Sequence, residues 1–495
     1  MCDTGNSVKV SVSLTNQHYY LHTKLIDCGM PLKRFSVYLG ESRALLAIAW
    51  PMIIAQLAQM GTGVVDTIMA GRYNALDLAA VAIGYNIWLP IYLLFIGVML
   101  GATAIIAQDF GAGRIQRIRD SLPQSLWLGL ALGLIAAPLC YFCAPLLTLL
   151  KLDAATHAKS LAYLQAVAFG MPAAAIFQAL RCHTQGVGIM RPFAVASVLG
   201  FVANIPLNYA FIYGKWGFPE LGAAGCGWAT AISMWLGPLL IGFYMTRTEK
   251  LKPYLPPLKL VLPDLPTIRE IARLGLPMGL TFFLEVAVFS IIALLIATLG
   301  NTAIAAHQIA FNVWDVVYML LISIGSAMGT RVGHAIGAGS KSSVHLAITC
   351  GSCATLLTGL AGMLVLLIVP QFIIQVYTDD TAIHEIAIAL IGLAALFIVL
   401  DAAQVAASFC LRAFKDTRFP FIVLCVAYWL FALPLGYWLG IVSADNPLDG
   451  TLGFWKSLIA GSAVSGVLVS CRLYATLQKP LPDQQIANAD QPAAT

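Results

Sequence analysis

Four carboxylate side chains lie well inside long apolar stretches of the sequence, whereas every Lys and Arg is expected to fall in a loop, a tail or a helix end. They are Asp66, Glu285, Asp315 and Asp401. An ionised carboxylate that is buried without a basic partner is costly, so such a group should take up a proton, bind a cation or face water. The pattern indicates reversible binding of a small cation, H⁺ or Na⁺, inside a membrane.

Glu285 and Asp401 are predicted to lie at the same depth. Each stands about fourteen or fifteen residues along its apolar stretch, which at about 1.5 Å per helical residue is near the middle of the bilayer. Two carboxylates at one depth would share one proton or jointly hold one Na⁺. Asp66, about twenty residues along the first stretch, is the third candidate cation-coupling residue.

Three further polar residues are candidate auxiliary groups. Asn204 and Asn208 are four residues apart and share one helix face, so they would supply oxygens or donors to Asp66. Packing between helices explains the two amides equally well. Asp315 either joins the cation-binding groups or accepts hydrogen bonds in a purely structural role.

The composition is that of a membrane protein. Of the 495 residues, 59% are apolar and only 10% are charged, whereas a soluble domain carries roughly 25% charged residues. The net charge of +5 comes from basic residues that form no dense run, which argues against nucleic-acid binding. The sequence also lacks the H-E-x-x-H, G-x-S-x-G and G-x-x-x-x-G-K-[ST] motifs, so we expect neither an enzyme nor a cofactor.

Twelve apolar stretches are long enough to cross about 30 Å of hydrocarbon, which predicts an all-α membrane protein. If the N-terminus is cytoplasmic, only five of the 28 basic residues fall on the outer side, Arg72, Lys151, Lys159, Lys215 and Lys456. Because Lys and Arg accumulate in cytoplasmic loops, both termini are predicted to be cytoplasmic. The stretches are 45–70, 79–107, 121–149, 160–180, 192–213, 222–246, 272–299, 303–330, 345–370, 386–411, 419–441 and 453–475.

Polar segments divide the chain into two lobes. Because Met30 stands shortly before the first apolar stretch, we interpret it as the natural start of the protein. The predicted parts are a polar tail at 1–43, an N-lobe at 44–247, a Pro-rich cytoplasmic linker at 248–270, a C-lobe at 271–476 and a polar tail at 477–495.

The two lobes repeat each other in sequence. When the chain is shifted by 226 positions, residues 79–113 fall on 305–339 with eleven identities, including Asn86/Asn312, Trp88/Trp314 and Tyr92/Tyr318. Six helices per copy leave both copies in the same orientation, which predicts a pseudo-two-fold axis along the membrane normal and a cleft between the lobes. The chemistry is not repeated, because Gln59 occupies the position that matches Glu285.

Six motifs in the chain resemble the multidrug and toxic compound extrusion (MATE) family, in its NorM-type branch. The likeness extends from about residue 41 to residue 476. The motifs are VVDTIMAG (64–71), NIPLNYAFIYGKWGFPELGAAGCGWATA (204–231), TFFLEVAVF (281–289), AAHQIAFN (305–312), RVGHAIGAG (331–339) and DAAQVAASFCLR (401–412).

The resemblance implies an antiporter of the bacterial inner membrane that expels hydrophobic, often cationic drugs while Na⁺ or H⁺ enters. It implies two six-helix lobes around a V-shaped cavity, and we expect a monomer. The family's cation-site carboxylates carry over to Asp66, Glu285 and Asp401, and Asn204 and Asn208 match its polar N-lobe positions.

Two positions depart from the family pattern and leave the coupling ion open. Members often have Ser in the stretch where this chain has Asp315, and some carry Tyr where this chain has Phe397, one turn before Asp401. An added carboxylate would enlarge the preference for cations or relay protons, and a lost hydroxyl removes an oxygen near the site.

Three other functions fit the sequence less well than antiport does. A flippase for lipid-linked precursors would favour a cationic cavity for pyrophosphate, and the expected lack of Arg and Lys inside the membrane argues against it. An intramembrane enzyme has no catalytic motif in this sequence. A passive cation channel does not require a duplicated chain, whereas alternating access around a central cleft does.

Overall fold

The computed structural model describes residues 31–257 and 261–481, and regular structure in these two ranges is helical throughout. The N-lobe helices are α1 (Pro31–Tyr73), α2 (Ala75–Gly111), α3 (Ile115–Tyr141), α4 (Ala144–Leu149), α5 (Ala154–Ala168), α6 (Met171–Gly186), α7 (Arg191–Tyr213) and α8 (Ala223–Arg247). The C-lobe helices are α9 (Leu265–Ala297), α10 (Asn301–Gly337), α11 (Lys341–Ile368), α12 (Pro370–Tyr377), α13 (Thr381–Ala413), α14 (Arg418–Leu424), α15 (Leu433–Tyr437) and α16 (Pro447–Leu477).

Eleven segments in the described ranges are long and apolar enough to cross a membrane, and a bent pair of helices makes a twelfth. That pair is α5 and α6, which meet at an angle of 44°. Pro172 stands at the start of α6 and has no N–H to continue the α5 ladder. Trp235 Nε1 donates to the Phe169 carbonyl at 2.9 Å and so satisfies an acceptor at the break. The twelve predicted spans are thereby confirmed, with the fourth, 160–180, divided by a bend.

Several helices extend well beyond the apolar stretches that predict them. The first begins at Pro31, inside the segment treated as a tail, and α9 begins at Leu265, inside the segment treated as a linker. Asp264 caps α9 by accepting a hydrogen bond from the Thr267 N–H at 3.2 Å. The helix therefore begins before the apolar stretch, and its first turn contains polar residues. The proposed start at Met30, and the chain ends 1–30 and 482–495, lie outside the described residues.

Because of these extensions, the expectation that every basic residue lies in a loop, a tail or a helix end is wrong. Arg181 lies inside α6 and is only 8% exposed. Arg331 lies inside α10, where its guanidinium bonds both oxygens of Glu41 on α1, at 2.8 and 2.5 Å. Hydropathy predicts that a helix ends near its first charged residue. In the structure the helix continues past that residue, because packing between the lobes accommodates it.

The two lobes meet where glycines let helix backbones touch. On α2, Gly97 faces Gly279 of α9, and a side chain on Gly101 would strike the Ile271 carbonyl. In return, a Cβ on Gly275 would overlap the carbonyl oxygen of Val98. Small residues at such crossings are the usual means of close helix packing in membranes.

The contact between the ends of α2 and α10 has the symmetry that the sequence repeat predicts. A Cβ on Gly111 would strike the carbonyl of His334, and one on Gly337 would strike the carbonyl of Gln108. Gly111 and Gly337 correspond at a shift of 226, and so do Gln108 and His334. The two contacts are therefore copies of each other, related by the pseudo-two-fold axis.

Both ends of the described chain lie on the side where the lobes meet. Glu41, in α1, bonds Arg331 in the second half of α10. Gln108, near the end of α2, donates to the Ala413 carbonyl at 2.8 Å. Arg472, near the end of α16, donates at 2.8 Å to Asp416, which follows α13. We call this the terminal side.

Replacing Gly275 by Ala should destabilise the protein. The new methyl group cannot fit against the Val98 backbone, so α2 and α9 must separate, at a cost of about 1–3 kcal/mol. Thermal unfolding in detergent should give a lower melting temperature for Gly275→Ala. Gly392→Ala is the matched control, because a Cβ at Gly392 of α13 has open space around it. Equal melting temperatures for the two variants would contradict the close crossing.

Candidate functional site

Three polar side chains surround Asp66 inside the N-lobe. Asn208 Nδ2 donates to Asp66 Oδ1 at 2.6 Å, and Thr230 Oγ1 donates to Oδ2 at 3.0 Å. The same Asn208 nitrogen lies 2.8 Å from Asn204 Oδ1. Asp66 is 5% exposed, and both amides are fully buried. The predicted grouping of Asp66 with the two Asn residues is therefore present, and Thr230 joins it.

Three helices bring this N-lobe cluster together. Asp66 comes from α1, the two amides from α7 and Thr230 from α8. The spacing of four residues puts Asn204 and Asn208 on one face of α7, as the sequence indicates. The buried Asn208 Oδ1 has no hydrogen-bond partner among the described residues. The cluster therefore offers carboxylate, amide and hydroxyl oxygens, which are the ligands that Na⁺ and other hard cations prefer.

In the C-lobe, Asp401 is held by two neutral donors. Trp314 Nε1 donates to Asp401 Oδ2 at 2.9 Å, and Ser462 Oγ donates to Oδ1 at 2.8 Å. Asp401 is 3% exposed. Phe397, one turn before it on α13, stacks on the Trp314 ring with centroids 5.4 Å apart. Phe397, at a position where some family members carry Tyr, thus positions Trp314, the indole that donates to Asp401.

Glu285 is linked to Asp401 through two stacked rings of α10. Tyr318 Oη donates to Glu285 Oε1 at 2.7 Å. Tyr318 follows Trp314 by one turn, and their rings stack with centroids 4.7 Å apart. The two carboxylates lie close enough to interact electrostatically. The structure therefore brings the predicted pair to the same part of the C-lobe, with Asp401 buried and Glu285 partly exposed.

Asp315 points away from the Trp314 side of α10 and faces the space between the lobes. It is partly exposed, and it interacts electrostatically with Tyr85 of α2 and with Glu285. It makes no hydrogen bond to any side chain or backbone group in the two described ranges. The backbone or Ser donors of a purely structural role are thus not present in this conformation.

The sequence did not predict that four side chains, Thr230, Ser462, Trp314 and Tyr318, would donate hydrogen bonds to the carboxylates. Thr230 and Ser462 are single hydroxyls among many in apolar helices, and nothing in their spacing marks them. Trp314 and Tyr318 stood out only as repeated residues, matching Trp88 and Tyr92. Their repetition was the available signal, since aromatic residues that recur at fixed offset often share a structural position.

The C-lobe pair and the N-lobe cluster occupy a duplicated bundle, which defines a membrane transporter with one candidate cation site per lobe. A family model described as MatE matches the chain twice, at residues 51–210 and 277–438. The chain therefore belongs to the MATE family, and it is of the NorM type.

Curated relatives support this assignment over nearly the whole chain. The multidrug resistance protein PmpM of Pseudomonas aeruginosa is 39% identical over 446 residues, covering 90% of this chain and 94% of the relative. The multidrug resistance protein NorM of Vibrio cholerae is 37% identical over 451 residues, covering 91% and 98%. The chain is thus a multidrug efflux antiporter and not an enzyme.

Solved structures share the fold at low sequence identity. The eukaryotic MATE transporter AtDTX14 superposes with a TM-score of 0.80 at 20% identity, covering 88% of this chain and 96% of that one. The Vibrio cholerae MATE transporter VcmN in its bent form gives a TM-score of 0.79 at 18% identity, covering 89% and 98%. The expected all-α architecture of two six-helix lobes is confirmed.

Replacing Trp314 by Phe should destabilise the protein more than replacing Trp88 by Phe. Both changes remove a buried indole N–H at matching positions of the repeat. Trp314 donates to a carboxylate, whereas Trp88 donates to the hydroxyl of Tyr163 at 3.2 Å. Hydrogen bonds to charged groups contribute about 1.5–3 kcal/mol, against about 1 kcal/mol for neutral pairs. Melting temperatures in detergent test the difference, and a larger loss for Trp88→Phe would contradict it.

Proposed function

We propose that Glu285 and Asp401 form the principal coupling site, where one entering H⁺ or Na⁺ cancels negative charge and drives drug release. The observation that carries the proposal is the arrangement of the pair around the Trp314–Tyr318 stack. Glu285 is partly exposed, whereas Asp401 is buried. A cation arriving at Glu285 therefore acts on a buried neighbour whose charge is otherwise supported only by neutral donors.

Asp66, Asn204, Asn208 and Thr230 serve as a second cation site in this proposal. Their oxygens converge within hydrogen-bond distance, so the cluster suits Na⁺ after small side-chain rotations, or a proton on Asp66. The cluster joins α1, α7 and α8, and a bound cation would weaken the Asn208 and Thr230 bonds to Asp66. Its occupancy would then change the packing of the N-lobe helices.

The terminal side is assigned to the cytoplasm of a bacterial inner membrane. The distribution of basic residues supports this orientation. The conformation would then be closed inward and open outward, ready to receive the coupling cation. The exported compounds are hydrophobic cations, handled by a single chain, since each lobe contains its own candidate site.

Neutralising either residue of the C-lobe pair should abolish transport that is driven by an ion gradient. Glu285→Gln and Asp401→Asn keep size and most hydrogen bonds but remove the charge that the ion must cancel. Uphill ethidium efflux is measured in proteoliposomes with pH and Na⁺ gradients imposed separately, which also identifies the ion. Glu385→Gln is the control, because Glu385 is an exposed carboxylate on the same helix as Asp401. Undiminished efflux by both site variants would remove the proposed site.

Asp315 is proposed to recognise positive charge on the drug. Asp315→Asn should raise the half-saturating concentration of a monocationic dye about fivefold to tenfold, the size of one charge interaction in a partly exposed site. A neutral dye of similar size should show little change, because it loses no charge pair. Transport assays at fixed ion gradient compare the two dyes. An equal increase for both would assign Asp315 to structure instead.

A further inference from the structure

A small cavity lies between the lobes on the terminal side of the coupling pair. Its volume is about 40 Å³, which leaves room for a few water molecules. Residues of α2 and α6 line it from the N-lobe, and residues of α10 and α13 line it from the C-lobe. Its polar wall consists of Thr103, Gln185, Ser326, Thr330 and Arg412.

Three polar atoms on this wall have no hydrogen-bond partner among the described residues, Thr103 Oγ1, Gln185 Oε1 and Arg412 Nη1. Gln185 is only 2% exposed, and its Nε2 is already bonded to Ser326 Oγ at 2.7 Å. Buried polar atoms are almost always paired, with ordered water where protein groups are absent. The unpaired Gln185 acceptor and the unpaired Arg412 donor line the same small cavity, so we expect water molecules in it to complete their hydrogen bonds.

Arg412 connects this cavity to the coupling pair. Its guanidinium lies over the ring of Phe409, 4.5 Å from the centroid, and over the ring of Phe282, 5.2 Å from the centroid. Phe282 precedes Glu285 by one helical turn on α9. Arg412 and Glu285 interact electrostatically, but the described residues include no direct ion pair between them. A positive charge thus lies near the carboxylate without forming a salt bridge to it.

We propose that Arg412 is the counter-charge that compensates Glu285 when the coupling ion has left. This inference rests on the proposed function of the Glu285 and Asp401 pair. Without its ion the pair carries uncompensated negative charge inside the membrane, and a nearby guanidinium lowers the cost of that state. The positive charge also weakens ion binding, which promotes release toward the terminal side. Hydration and the aromatic faces keep Arg412 charged without closing it into a permanent salt bridge.

The other charged or titratable groups around the pair cannot supply this compensation. Tyr318 faces both Glu285 and Arg412, and Asp315 and Asp401 face Glu285. Tyr318 is neutral when it donates its hydrogen bond, and the two Asp residues add negative charge. Arg412 is the positive group among those that interact with Glu285.

The N-lobe provides a matched control for Arg412. A shift of 231 positions places Leu180-Arg181 on Leu411-Arg412. Arg181 also lies over an aromatic ring, 4.6 Å from the centroid of Phe193, and it donates to Gln178 at 3.4 Å. It belongs to the other lobe and does not interact with Glu285. Removing its charge therefore disturbs a similar buried environment without acting on the coupling pair.

The test measures the half-saturating concentration of the coupling ion and the maximal rate of dye efflux in proteoliposomes. Arg412→Gln should lower the half-saturating concentration about tenfold, the size of one pKa unit of charge interaction, and should also lower the maximal rate, because release becomes slower. Arg412→Lys keeps the charge and should remain near the wild-type ion affinity. Arg181→Gln should leave the ion affinity unchanged.

An unchanged or weaker ion affinity in Arg412→Gln, or an equal shift in Arg181→Gln, would overturn the proposal. If Arg412→Gln transports too poorly to assay, melting temperatures in detergent replace the kinetics. The Glu285→Gln background should then reduce the loss caused by Arg412→Gln, whereas additive losses would overturn the proposal. Loss of coupling in Glu285→Gln together with no effect of Arg412→Gln would refute this inference alone. Normal coupling in Glu285→Gln would refute the coupling site itself.

Discussion

A carboxylate inside a membrane protein needs hydrogen-bond donors, and the charge of those donors decides what the carboxylate can do. Asp66 and Asp401 each accept two bonds from neutral side chains. Neutral donors stabilise the ionised form but leave its negative charge in place, so a cation from solution can still cancel it. Asp77 differs, because Lys159 Nζ lies 2.6 Å from it and the Ala223 N–H donates to it at 2.7 Å. Its charge is already compensated, and it serves to hold α2, α5 and α8 together.

The glycine contacts hold the two lobes together on the terminal side. Helix backbones approach each other closely at Gly97, Gly101 and Gly275, and polar bonds such as Arg331 to Glu41 cross the same side. In the proposed function this interface would open in a second arrangement of the lobes, and one bound cation would bias the choice between the two.

The sequence predicted the frame and the negative charges, because both leave a signal in residue type and spacing. Twelve apolar stretches, a shift of 226 positions and carboxylates such as Asp401 are all visible without a structure. The donors Thr230 and Ser462 were not predicted, since a hydroxyl in an apolar helix is common and its partner is set by tertiary packing. Arg412 was also missed as an internal charge, because it stands at the end of an apolar stretch. Only packing within the C-lobe places it one ring away from Glu285.

Duplication supplies the same donor to both lobes, but the acceptors differ. Trp88 and Trp314 occupy matching positions, yet Trp88 bonds the hydroxyl of Tyr163 and Trp314 bonds Asp401. The N-lobe instead places its carboxylate on α1, among amides of α7 that the C-lobe repeat does not contain. In the proposed function, one cation would therefore meet two different sites in a nearly symmetric frame. Binding would lower the free energies of the two lobes by different amounts, and this difference would favour one arrangement of the lobes over the other.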